Sequence, residues 1–192
     1  MRTRDFGRIL AGILVAVVLV FAAAIAATWA PDRPVSELRE RWASPPSQFV
    51  AIDGMQVHLR DEGPRADATP IVLLHGTSSS LHTWDGWARE LSTERRVVRP
   101  DLPGFGLTGP TPDGVYTLDR YASFVRALLD HLGIQRCVLV GNSFGGTVSI
   151  ATILAIPERV TKLVLIDSGG YSLAGVSMPI AFRIANIPVL NR

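Results

Sequence analysis

Hydrophobic and polar positions divide the chain into regions of different texture. Ile9 to Ala30 is 22 residues without a charged side chain. A helix of that length spans about 33 Å, enough to cross a bilayer, and it has no polar face to turn toward water. Pro31 to Pro46 then holds Pro31, Pro34, Pro45 and Pro46 among alternating charges. It reads as a linker with one short helix over Ser36 to Trp42. Phe49 to Ile52 and Gln56 to Leu59 flank Asp53-Gly54, the pattern of a hairpin. Ile71 to Leu74 is short and wholly apolar, as in a strand buried on both faces. A helix is expected over Trp84 to Leu91 and a strand over Arg96 to Arg99, ending at Pro100-Asp101.

The periodicity predicts a helix over Leu118 to Leu132, with Leu118, Tyr121, Val125, Leu128, Leu129 and Leu132 on one stripe. Thr117 suits its N-cap, Asp119 the positive end of its dipole, and Gly133 the position just past its end. A buried strand over Arg136 to Val140, a helix over Phe144 to Ala155 stopped by Pro157, and a strand over Lys162 to Ile166 complete the pattern. A hairpin followed by alternating strands and helices predicts an α/β fold: a mostly parallel twisted sheet, antiparallel at its start, with helices on both faces.

Composition adds few constraints. The chain has 192 residues, 47% hydrophobic, with a net charge of +2. No long basic run is present, so no nucleic-acid partner is expected. The one cysteine, Cys137, lies in an apolar run and reads as a small buried hydrophobe. Arg2, Arg4 and Arg8 precede the apolar span, and Arg33, Arg39 and Arg41 follow it. We read residues 1–8 as a basic flank and 9–30 as an uncleaved signal anchor in the membrane. The alternative is a cleaved signal peptide, with Ala24-Ile25-Ala26 and Thr28-Trp29-Ala30 as passable sites. An inward N-terminus, the default orientation, makes the globular part extracytoplasmic; cleavage would make it secreted.

The candidate chemistry centres on Ser143. Gly141-Asn142-Ser143-Phe144-Gly145-Gly146 joins the end of a buried strand to the start of a helix. A sharp turn there strains its central residue, lifts the hydroxyl clear, and requires Gly141 and Gly145 to be small. Gly146 lets the helix pack closely on the strands. The Phe144 N–H, at the helix N-terminus, is then a donor for an oxyanion. The competing reading is a serine that merely caps the helix. His75-Gly76-Thr77 follows the first parallel strand. The Thr77 N–H is the candidate second donor, Gly76 permits close approach, and His75 reads as a structural residue holding the loop, not as the base. Asp101-Leu102-Pro103-Gly104-Phe105-Gly106 reads as a structural turn at the edge of the site, although Asp101 is a tempting acid. Trp84, Phe105 and Phe144 suggest an apolar pocket, or plain core. No ligand cluster for a metal stands out.

Taken in order, these three motifs resemble the α/β-hydrolase superfamily over roughly Phe49 to Gly170. The nearest branch holds meta-cleavage-product hydrolases, small esterases, epoxide hydrolases and haloalkane dehalogenases. The resemblance implies hydrolysis of a small, apolar acyl substrate: a histidine activates Ser143, an acyl-enzyme forms, and water releases it. It implies no metal or organic cofactor. A serine at this position argues against dehalogenase and epoxide hydrolase chemistry, which use aspartate there. The resemblance makes 47–170 the N-terminal part of the hydrolase domain and 171–192 the start of a lid. It also places the acid after a later strand and the histidine last. The four histidines, His58, His75, His82 and His131, all precede Ser143. Asp167 is the only candidate acid after the serine, and local turn chemistry explains it equally. The expectation is a fragment of a membrane-anchored serine hydrolase lacking its base. The alternatives are an inert remnant or binding module and an acyltransferase on the same scaffold. Nothing in the sequence sets an oligomeric state.

Overall fold

The computed structural model describes residues 3–29 and 33–170. The expected lid segment, 171–192, lies outside the described residues. The chain divides into two compact units, Met1–Glu37 and Leu38–Arg192.

The first unit is dominated by α1, Thr3–Thr28. Its stretch Gly7–Thr28 buries nothing against the protein. It has the length and composition of a membrane anchor, and equally of a signal sequence. The short helix α2, Val35–Trp42, follows.

The second unit holds a six-stranded sheet of order β1-β2-β4-β3-β5-β6. The strands are β1 (Ser47–Ile52), β2 (Met55–Glu62), β3 (Ile71–Leu74), β4 (Val97–Pro100), β5 (Cys137–Asn142) and β6 (Val160–Ile166). Both pairings of β2, with β1 and with β4, are antiparallel, while β3 pairs in parallel with β4 and β5, and β5 with β6. Asp53 and Gly54 both take positive φ, +48° and +79°. That is the two-residue turn whose twist matches a hairpin, and it sets the β1–β2 register.

Side chains alternate across the sheet and divide the core in two. Val72 and Leu74 of β3 join Val57, Leu59, Val98 and Leu139 under α4 (Leu118–His131) and α5 (Phe144–Ala155). Ile71 and Leu73 turn the other way, to Trp84 and to Ala88 of α3 (Asp85–Leu91). Trp84 is therefore core and not pocket lining. The Thr117 side chain accepts from the Arg120 N–H, so the cap of α4 forms as the sequence indicates. Several element ends differ from expectation. Leu81–Trp84 is a separate 3₁₀ turn ahead of α3. On β2 the ladder to β4 carries the strand past the apolar run as far as Glu62, since Asp61 and Glu62 pair with Val98 and Val97. On β5 the ladder to β6 likewise extends the strand to Asn142.

The strand order places the candidate chemistry. From β3 the chain steps to β4 on one side, then returns past β3 to β5 on the other. Such a reversal opens a crevice at the carboxyl ends of the central strands.

Candidate active site

In the parallel register Leu74 lies opposite Gly141, and Asn142 opposite Ile166. The loops after β3, β5 and β6 therefore leave the sheet side by side. This brings His75-Gly76-Thr77, Ser143 and Asp167 to one edge. Non-glycine residues of these loops hold positive φ: Ser78, next to Thr77, at +55°, Ser143 at +50° and Asp167 at +44°.

Ser143 sits at φ 50°, ψ −115°, and its side chain makes no capping bond to α5. It stands at the N-cap position, but its hydroxyl does not cap the helix, so its strained backbone has no side-chain capping bond in return. The neighbouring peptide groups hold it instead. The Ser143 N–H donates to the Ile166 carbonyl at 3.0 Å, and the Ser143 carbonyl accepts from the Gly146 and Gly169 N–H groups at 3.0 and 3.2 Å.

The glycines are steric requirements. A Cβ on Gly141 would sit 2.3 Å from the Gly145 carbonyl oxygen, as the tight turn predicts. A Cβ on Gly145 would meet the Leu74 carbonyl oxygen at 2.2 Å, so this glycine is demanded by β3. A Cβ on Gly146 would lie 2.3 Å from Ser168 Oγ, which makes its close neighbour the loop after β6. At Gly76 a Cβ would stand 3.1 Å from Ser143 Cβ, which measures how near the two loops run. The N–H groups of Thr77 and Phe144 have no acceptor among the described residues. Both flank Ser143, Thr77 through the adjoining Gly76 and Phe144 as its successor in the chain.

His75 is fully buried, and both ring nitrogens are occupied. Nδ1–H donates to the Gly76 carbonyl at 2.8 Å, and Nε2 accepts the Leu102 N–H at 3.0 Å. Burial pushes its pKa below the ordinary imidazole value, so it stays neutral as that acceptor role requires. It ties the loop after β3 to the loop after β4. Phe144 packs edge-on against Tyr121, with ring centres 5.0 Å apart, and Phe105 lies 6.0 Å from Phe144. Asp167 is exposed and makes no side-chain hydrogen bond among the described residues.

Asp101 has a larger role than a turn. Its carboxylate is buried and accepts the Leu81 N–H, the Leu107 N–H and His58 Nδ1–H, each at 2.7 Å. Burial alone would raise its pKa; those bonds outweigh burial and hold it below the ordinary carboxylate value. This network was not legible in the sequence. Its one signal was a histidine, His58, between two apolar residues of β2, Val57 and Leu59. Beside it lies a cavity of about 230 Å³, lined among others by Trp42, His58, His82, Asp101 and Leu107. Ser143 does not line this cavity. Among the described residues no group of three or more His, Cys, Asp or Glu is placed to hold a metal ion.

The alpha/beta hydrolase fold model matches residues 69–192. The chain belongs to that family. It is 38% identical over 129 residues to 2-hydroxy-6-oxo-2,4-heptadienoate hydrolase of Pseudomonas putida, covering 65% of this chain and 45% of that protein. Among solved structures, a bacterial membrane phospholipase A superposes with a TM-score of 0.65 at 28% identity, over 92% of this chain and 55% of that one. The meta-cleavage product hydrolase of Pseudomonas fluorescens IP01 superposes with a TM-score of 0.61 at 31% identity, over 66% of this chain and 47% of that one. The chain thus spans about half the length of the curated relatives it matches.

Proposed function

We propose that this chain carries the nucleophile half of a serine hydrolase, which cleaves an ester, a related acyl bond or a C–C bond through an acyl-enzyme on Ser143. The observation that carries the reading is the strained backbone of Ser143, without a side-chain cap, beside the Gly76-Thr77 loop and the Phe144 N–H, with the Thr77 and Phe144 N–H groups lacking an acceptor among the described residues. Strain of this kind costs about 1–3 kcal/mol and persists where the surroundings over-determine it, commonly at reacting centres.

In the proposed reaction Ser143 Oγ attacks the substrate carbonyl carbon. The carbonyl oxygen gains negative charge and accepts hydrogen bonds from the Phe144 and Thr77 N–H groups. The N-terminal end of α5 adds a favourable field. The Oγ proton passes to a histidine, which returns it to the leaving group; water then releases the acyl group. None of His58, His75, His82 and His131 hydrogen-bonds to Ser143. The base and its acid are proposed to correspond to the part of the relatives' length that this chain does not span. Asp167 is the alternative acid, because it adjoins Ser143 through the β5–β6 register.

The likeness to a membrane phospholipase A over 92% of the chain, together with the uncovered α1, favours lipid esters among the acyl substrates. In this reading α1 anchors the protein, 31–46 links it to the hydrolase domain, and that domain lies outside the cytoplasm. Transfer of the acyl group to an alcohol would use the same intermediate, and product analysis with an alcohol present separates the two outcomes.

The test is a fluorophosphonate probe on the full-length protein in detergent, with peptide mapping. Labelling at Ser143, with hydrolysis of phospholipid vesicles lost in Ser143→Ala, is expected. A folded full-length protein that neither labels at Ser143 nor hydrolyses any ester would mean an inert binding module.

A further inference from the structure

Ser143 has no base among the described residues, but another serine does. His58 is buried on β2; its Nδ1 lies 2.7 Å from Asp101 Oδ2 and its Nε2 lies 3.0 Å from Ser47 Oγ. Arg60 Nε also reaches Ser47 Oγ, at 3.0 Å. The chemistry of the groups sets the directions. Ionised Asp101 only accepts, so His58 Nδ1 carries a proton, and in the neutral ring Nε2 is an acceptor. The Arg60 guanidinium only donates, so it occupies a lone pair of Ser47 Oγ and leaves that hydroxyl's proton for Nε2. The chain of bonds therefore runs from Ser47 through His58 to Asp101, with the base adjacent to the hydroxyl and oriented by a buried carboxylate.

We propose that Ser47 is a second nucleophile, activated by His58 and Asp101, that takes short activated esters and organophosphorus esters. The proposal does not rest on the reading of Ser143. Ser47 lies on the edge strand β1 and is half-buried, which leaves part of the residue on the outer side of the sheet edge. His58, the base, lines a cavity of about 230 Å³ with apolar walls at Leu38, Trp42 and Leu107, with room for a short acyl chain; Ser47 is not one of its lining residues and meets it only through His58. In the reaction, Oγ forms a bond to the acyl carbon while its proton moves to His58 Nε2. The bond from that carbon to the leaving oxygen breaks, and the departing alkoxide takes the proton. Water, deprotonated by His58, then cleaves the acyl-serine and returns the proton to Oγ. Arg60 holds Ser47 Oγ in place and leaves its proton directed at His58 Nε2. Asp101 stays ionised because the Leu81 and Leu107 N–H groups hold it, and it stabilises the imidazolium.

The experiment uses the full-length protein in detergent with Ser143→Ala, so that the strained serine cannot react. A fluorophosphonate probe is added and modified peptides are followed over time by mass spectrometry. Ser44, an exposed serine nearby, serves as the internal control. Ser47 is expected to label about 100-fold faster than Ser44, the lower end of what a positioned base contributes. The label should vanish in Ser47→Ala and slow by a similar factor in folded His58→Gln. The ratio of Ser47 to Ser44 in the unaltered relay needs no buried substitution, so the test survives a variant that fails to fold. Labelling of Ser47 no faster than Ser44 overturns the proposal. So does labelling that persists undiminished in folded His58→Gln.

Discussion

Replacing Asp101 with asparagine tests whether one carboxylate holds the loops of this sheet edge together. Oδ1 accepts the Leu81 N–H; Oδ2 accepts both the Leu107 N–H and His58 Nδ1–H. The amide has the same shape and one acceptor oxygen. In its best orientation that oxygen replaces Oδ2, and the NH2 group faces the Leu81 N–H. One buried backbone N–H and one buried amide are then left unpaired. Each costs about 1–3 kcal/mol, so Asp101→Asn should destabilise the fold by about 4 kcal/mol. At roughly 2–4 °C per kcal/mol for a domain of this size, the melting temperature should fall by roughly 8–16 °C. Thermal unfolding in detergent, followed by near-ultraviolet circular dichroism, measures it. The pH dependence supplies a second readout. The folded pKa of Asp101 lies below the ordinary carboxylate value, so its stabilisation is complete above that value and is lost as pH falls through the lower folded value. The variant should lack this acid-side component. A fall of less than about 2 °C at pH 7, with an unchanged acid limb, would refute the reasoning.

The remaining predictions concern strain, close packing and burial. Ser143→Gly should raise the melting temperature, since glycine accepts φ +50° without the roughly 1–3 kcal/mol of strain, while Ser143→Ala should not; equal melting temperatures would remove the strain argument. Gly145→Ala should cost about 3 kcal/mol or more, because its Cβ meets the fixed Leu74 carbonyl oxygen at 2.2 Å. Gly86→Ala, inside α3 with nothing within 4 Å of its Cβ, should instead stabilise by about 0.5–1 kcal/mol, so opposite signs in denaturant melts are expected. Burial pushes the Cys137 thiol up to about 11, and the native protein should resist a thiol-reactive disulfide at pH 8 until denatured. Rapid native reaction would contradict the packing around β5.

By itself the sequence determined the pattern of elements and much of the site's grammar. The apolar span of α1, the Asp53-Gly54 turn, the stripe and cap of α4, and the strand–Ser143–helix turn each rest on interactions within a few residues, which local composition encodes. Tertiary structure decided what depends on residues far apart in the chain. Gly145 had to be small because of the Leu74 carbonyl, and Gly146 because of Ser168, neighbours that only the sheet order creates. Trp84 became core because alternation along β3 and β4 sends Ile71, Leu73 and Val97 toward it. Asp101, an ordinary turn former to a local reading, became the shared acceptor for β2 and two loops. Its partners at positions 58, 81 and 107 converge only when β2 lies beside β4. The chain of bonds from Ser47 through His58 arises the same way, across the β1–β2 ladder. Hydrogen bonds between strands depend on register, and register is set by the packing of the whole sheet.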